Sequence, residues 1–210
     1  KGCKQYDFFR STEEPNTFHL FEKWDNLPAL EAHFKSEHLL TFLGSLDWTP
    51  NLEAVDWFLG NVWPLVREAI PQARLHLGGS NASSDLVGRL RCEGVRFLGR
   101  VPDAREFISS GTAMVVPLLS GGGIRVKILE AMALGIPVIS TRLGATGLGV
   151  NDGKQLLLAD GVDSFTQACV ALLSDRERAA TIGRTGRTYV SQAFDTDAIG
   201  RRLVEFLRTL

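Results

Sequence analysis

Cysteine is scarce in this chain: Cys3, Cys92 and Cys169 are the only three in 210 residues. Their scatter has neither the short spacing of a metal-ligand set nor the density of a disulfide scaffold. Buried or free thiols in a reducing compartment are expected, and with them a cytoplasmic location. No run of about 18 apolar residues occurs, so no membrane-spanning helix is expected. Neither sign of charge dominates. Lys and Arg number 23 against 24 Asp and Glu, a net charge of -1, which argues against a nucleic-acid surface and against an acidic, disordered partner tail. Internal repeats, low-complexity segments and a signal-peptide pattern are also missing. The chain opens with Lys1-Gly2-Cys3 rather than methionine, as expected of a fragment or a processed chain.

What is present reads as an ordinary globular protein, 44% hydrophobic and 22% charged, long enough for one or two domains with a real core. Two unlike parts follow one another. Residues 3–10 (CKQYDFFR) and 17–24 (TFHLFEKW) are aromatic-rich and roughly alternating, with the turn-like STEEPN between them. They predict a β-hairpin. NLPALEAHFKSEHLL then predicts a helix with Asn26 as cap, giving a β-β-α unit over residues 1–40 that is too small to bury a core alone. His33 and His38 fall on that helix and are expected on a solvated face.

From Thr41 the pattern changes to short apolar strands alternating with helices. TFLGSL, ARLHLGG, VRFLG, AMVVPLL, IPVIS and QLLLA read as strands. The segment from Asn51 to Ile70 reads as a helix that Pro64 kinks or divides, and Asp103 is placed to cap a short helix. IRVKILEAMAL and DSFTQACVALLS read as helices, as do 175–192 and 196–209. This alternation predicts a doubly wound, Rossmann-like α/β domain with a parallel sheet over residues 41–210. Asp195-Thr196-Asp197 has an Asp-x-Asp look, but its place before the last helix makes it an N-cap, and no metal is expected. His76, inside an apolar strand, reads as a core or edge residue.

SGGGIRVKILEAMALGIPVIST, Ser120 to Thr141, is the most informative stretch. In open α/β sheets ligands sit beyond the carboxyl ends of strands. Glycine there lets the backbone approach a ligand and take positive φ, and the helix that follows offers unpaired N–H groups to an anion. Arg125 and Lys127 carry the wrong sign for a helix N-terminus, a local cost of about 0.3–1 kcal/mol that a bound diphosphate reverses. Glu130, three residues after Lys127, is placed to accept hydrogen bonds from vicinal hydroxyls. The bland alternative is a tight turn, a solvated Arg125 and a surface ion pair between Lys127 and Glu130.

The segment GGGIRVKILEAMALGIPVISTRLGATGL resembles the donor-binding segment of GT-B fold glycosyltransferases of the family 4 group. FLGSLDWTPNLEAVDWFLGNVWPLV, LHLGGSNAS and GVRFLGRVPDAREFISSGTAMVVPLLSGGG resemble further blocks of the C-terminal domain of that group, in order. The resemblance implies transfer of a sugar, with retention, from a nucleotide diphosphate sugar to an acceptor hydroxyl, in polysaccharide biosynthesis or a related task. It implies a diphosphate role for Arg125 and Lys127, the catalytic pair here, and a ribose role for Glu130. Donor contacts then fall to Gly121, Gly122, Gly123 and Ile124, and base contacts to Arg100 and Val101. Gly144 to Gly147 would close the rim. No cofactor beyond the donor is implied, and the acceptor stays open. In the family's Glu-x7-Glu motif Glu130 matches the second glutamate, while Gly122 stands at the first. Gly44–Trp48 also lacks the family's usual basic pair. A catalytically silent nucleotide-sugar-binding module is therefore the alternative. Residues 1–40, through FEKW, ALEAH and SEHL, resemble part of the antibiotic biosynthesis monooxygenase family, and self-association through them is a possible partner interaction.

Overall fold

The computed structural model describes residues 3–10, 18–25 and 38–209. The chain divides into two compact units, Lys1–Ser36 and Glu37–Leu210. In the first unit β1 (Cys3–Arg10) pairs antiparallel with β2 (Phe18–Trp24), with Tyr6 opposite Glu22 and Phe8 opposite Leu20. Lys4 and Asp25 close the open end of the ladder with a 2.6 Å ion pair. The expected helix of this unit, with Asn26 and His33, lies outside the described residues. His38 does not sit on a solvated helix face. It has a φ of 63° at a turn, and its Nδ1 donates to the Leu173 carbonyl at 3.0 Å. A left-handed residue cannot continue a right-handed helix.

The second unit is built on a six-stranded sheet in the order β5-β4-β3-β6-β7-β8. Its strands are β3 (Leu39–Leu43), β4 (Arg74–Gly78), β5 (Val95–Gly99), β6 (Ala113–Val116), β7 (Val138–Ser140) and β8 (Leu157–Leu158). Every pairing is parallel. Strands β6 and β7 are buried at every position, as expected where helices cover both faces. At the β5 edge half-buried and exposed positions alternate instead.

The helices are α1 (Thr49–Trp57), α2 (Trp63–Ala69), α3 (Ser84–Arg89), α4 (Ala104–Ser109), α5 (Val126–Ala133), α6 (Val162–Ser174), α7 (Arg176–Ala193) and α8 (Thr196–Leu207). Pro64 divides the first long helical segment as its missing N–H requires. A π-helical turn at Phe58–Val62 separates α1 from α2, and Asn61 Nδ2 donates to the Trp57 carbonyl inside it. Ser83, Asp103, Asp175 and Asp195 cap α3, α4, α7 and α8 with their side chains, each worth about 1 kcal/mol. Asp195 accepts from the Asp197 amide at 3.0 Å, so the Asp-x-Asp sequence is a cap. The core is one continuous cluster, with Phe58 and Phe165 packed edge-to-face at 5.9 Å behind β3 and β6.

Candidate functional site

The strand order reverses between β3 and β6: the chain winds outward to β5, then returns to β6 and winds the other way. That reversal opens a crevice beyond the carboxyl ends of the two strands. Two loops flank it, Gly44–Trp48 after β3 and Ser120–Arg125 after β6.

In the second loop Gly121 and Gly123 have φ values of 91° and 87°, which only glycine takes without strain. Gly121, Gly122, Gly123 and Ile124 are all exposed. The loop delivers Arg125 to the N-cap position of α5, whose first turn holds no acidic residue and no side-chain cap. Arg125 is not solvated as the bland sequence reading had it: only 8% of it is exposed. Its Nη1 donates to the Gly122 carbonyl at 2.7 Å, and its guanidinium lies 5.0 Å from the Trp48 ring centre. Nε and Nη2 are buried with no hydrogen-bond partner among the described residues. Buried donors of this kind are costly unless something accepts from them.

Lys127, two residues along, does not pair with Glu130. Its ammonium turns inward, donating to the Leu43 carbonyl at 2.8 Å and to Asn51 Oδ1 at 3.1 Å, and lies 5.0 Å from the Phe42 ring centre. Burial, reinforced by the charge of Arg125, lowers its pKa to about 8. The helix explains the miss: an ammonium on a core-facing stem finds carbonyl oxygens, whereas Glu130 is exposed and its side chain has no hydrogen bond or ion pair among the described residues. Two cations thus stand at one helix N-terminus with neutral partners alone, an arrangement that attracts an anion.

Across the crevice Leu43, Gly44, Ser45, Gly79, Ser80, Arg100 and Val101 line a cleft of about 190 Å³. Leu43 joins the two halves, lining this cleft with its body and binding Lys127 with its carbonyl. Arg100 is exposed at the mouth and Val101 packs toward Gly78. On the far side Thr141 Oγ1 donates to the Leu118 carbonyl at 2.6 Å and accepts from the Gly144 amide at 2.9 Å. That fixes the turn after β7 and brings Gly147 beside Ile124. Among the described residues no group of His, Cys, Asp and Glu could hold a metal ion.

Sequence reasoning missed Trp48 and Asn51. Asn51 is 4% exposed on the first turn of α1, where an asparagine facing the sheet was the available signal. It reads more easily as a cap than as a buried partner for a lysine 76 positions away.

Residues 37–175 match the family described as glycosyl transferases group 1. The chain belongs to this family.

Among curated relatives, the GDP-mannose-dependent alpha-(1-6)-phosphatidylinositol monomannoside mannosyltransferase of Mycolicibacterium smegmatis is 39% identical over 159 residues, 69% of this chain and 42% of that protein. Among solved structures, HepE of Anabaena in complex with UDP and glucose has a TM-score of 0.66 at 19% identity, covering 86% of this chain and 50% of that one. The C-terminal domain of the group 1 glycosyl transferase LpcC of Francisella tularensis has a TM-score of 0.61 at 16% identity, covering 76% of this chain and 87% of that one. The α/β unit has the fold of a GT-B C-terminal domain. The chain spans less than half the length of the curated relatives it matches, with shares of 43% and 42% for the first two. Residues 1–44 match antibiotic biosynthesis monooxygenase. Among the described residues no helix is long and apolar enough to cross a membrane.

Proposed function

We propose that the α/β unit binds a nucleotide diphosphate sugar in the crevice between the β3 and β6 loops. As the donor-side half of a family 4-like GT-B enzyme, it serves transfer of that sugar to an acceptor hydroxyl with retention. The observation that carries this reading is the buried Arg125, with two donor nitrogens unpartnered, beside a Lys127 that has no carboxylate. As the glycosidic bond breaks, negative charge grows on the departing diphosphate. Arg125 and Lys127 stand at the N-terminus of α5 beside the glycine loop, so the growing charge falls where the protein is already positive. Exposed Glu130 is assigned the ribose hydroxyls, and the Arg100–Val101 cleft the base. The donor is the substrate, and neither metal nor cofactor takes part. The names of the mannosyltransferase relatives make GDP-mannose the first donor to test, with UDP-glucose second because HepE was solved with UDP and glucose. A cytoplasmic site of action fits a nucleotide-sugar donor.

Titration calorimetry with GDP, UDP and their nucleosides tests the reading. Diphosphates are expected to bind at least about tenfold more tightly than nucleosides, a difference of about 1.4 kcal/mol. Glu130→Ala is expected to weaken ribonucleotides without lowering the melting temperature, since its side chain makes no internal bond. Equal affinity for GDP and guanosine would remove the phosphate role.

A second reading, a module that binds the donor and transfers nothing, is favoured by Gly122, which offers no carboxylate where the family motif has its first glutamate. Product formation with GDP-mannose and a candidate acceptor separates the two. Self-association through residues 1–40 belongs to the same proposal, and a monomeric mass at high concentration counts against it.

A further inference from the structure

Asn51 bridges Lys127 and the loop after β3. Its Oδ1 accepts from the ammonium at 3.1 Å, while its Nδ2 donates to the Ser45 carbonyl at 2.9 Å. The two bonds fix which end of the amide faces which partner, because an ammonium only donates and a carbonyl only accepts. The backbone makes room for it. A Cβ on Gly44 would stand 2.5 Å from Asn51 Nδ2, so an alanine there would push the amide out. The groups around the ammonium are few. β3 supplies the Phe42 ring and the Leu43 carbonyl, α1 supplies Asn51, and among the described residues the charged neighbour is Arg125.

A carboxylate would fit the same space as the amide. It would form a buried ion pair with Lys127 and settle the cation inside the protein. It would also turn an acceptor toward the Ser45 carbonyl. The neutral amide holds the ammonium in place yet leaves its charge uncompensated.

We infer that Asn51 is a positioning residue for the anion site: it orients Lys127 and, by being neutral, keeps that cation available to the diphosphate of the donor. This rests on the reading of the crevice as a nucleotide-sugar site. Asn51 touches no substrate in this scheme and acts through Lys127.

The experiment is calorimetry on the full 210-residue chain with GDP, UDP, guanosine and uridine as probes. Asn51→Asp is expected to weaken the diphosphates by about tenfold or more while leaving the nucleosides within about twofold. In a Lys127→Met background the same substitution is expected to cost the diphosphates much less, so the two effects are non-additive. The fall of diphosphate affinity at alkaline pH is expected to move to higher pH in Asn51→Asp, because the new carboxylate favours the charged ammonium. A purely structural role for Asn51 gives a different pattern. Nucleosides and diphosphates weaken together, the loss persists without Lys127, and the pH profile stays where it was. That pattern overturns the inference, as does an Asn51→Asp chain that binds GDP and UDP like the native one. If the native chain itself binds neither diphosphate, the donor-site reading fails first and this inference with it.

Discussion

Gly44–Trp48 and Ser120–Arg125 leave neighbouring strands at the same end of the sheet, yet only the first is tied down along its length. Gly44 N donates to the Gly78 carbonyl and Leu46 N to the Ser80 carbonyl. Ser45 Oγ donates to Asp47 Oδ1 at 2.6 Å, and Asn81 Nδ2 donates to Asp47 Oδ2 at 2.9 Å. These bonds, the serine's first, hold the Asp47 carboxyl below its usual pKa. The second loop has two left-handed glycines and four exposed residues in a row. Its side-chain ties are Ser120 to Glu53 and Arg125 to the Gly122 carbonyl. One loop is a fixed wall without a cation. The other is an exposed arc that ends in Arg125 and leads into α5, which bears Lys127.

The wall is the easier of the two to break. A Cβ on Gly79 would lie 2.2 Å from the Gly44 carbonyl and 2.9 Å from Leu46 Cγ. Gly79→Ala is expected to destabilise the unit by about 3 kcal/mol, the upper end for overpacking. Thermal unfolding should show a fall in melting temperature of roughly 10 °C. An unchanged melting temperature would mean that the wall yields as readily as the arc.

Lys127→Met sharpens the electrostatic half of the contrast. The substitution removes a buried charge that has no carboxylate, so stability is expected to hold or rise, while GDP affinity falls by about 2 kcal/mol, some thirtyfold. Its pH dependence can be signed. The folded chain holds the Lys127 pKa near 8, against 10.5 ordinarily. Between those values the unfolded chain binds the extra proton, so this residue makes stability rise with pH across that window. A bound diphosphate favours the ammonium, so affinity is expected to fall above pH about 8 by up to tenfold per unit. Lys127→Met should abolish that slope in calorimetry across pH 7 to 10, a span of roughly 3 units.

The sequence carried the arc far better than the wall. Three consecutive glycines, two cations and a strand-to-helix junction are local features, and local features survive in a single sequence. The strands and the caps Asp103 and Asp195 were legible for the same reason. Asn51, Trp48 and the inward turn of Lys127 were not, because each depends on a contact across the sheet. Lys127 and Leu43 are 84 positions apart, and nothing in the local pattern says that β3 ends beside α5. Pairing Lys127 with Glu130 by helical spacing failed on the same ground: tertiary burial decided where the ammonium points. His38 failed through its own backbone, which is left-handed at a turn.

The smallest effects test whether the arc is shaped by strain or by approach. Gly121 and Gly122 are adjacent, exposed and chemically identical, but only Gly121 has a φ in the left-handed region. A Cβ on Gly121 would also stand 3.1 Å from Arg125 Nη2, whereas a Cβ on Gly122 meets nothing within 4 Å. Gly121→Ala is expected to cost about 1 kcal/mol of stability. Gly122→Ala is expected to leave stability within about 0.5 kcal/mol, with a slight gain from the stiffer unfolded chain. If the donor reading holds, Gly122→Ala still weakens GDP by about threefold, since a methyl then stands where the ligand approaches the backbone, a loss of roughly 0.7 kcal/mol. A loss of affinity with no loss of stability isolates ligand approach at that residue. Equal behaviour of the two alanine variants would instead show that the arc is a turn and nothing more.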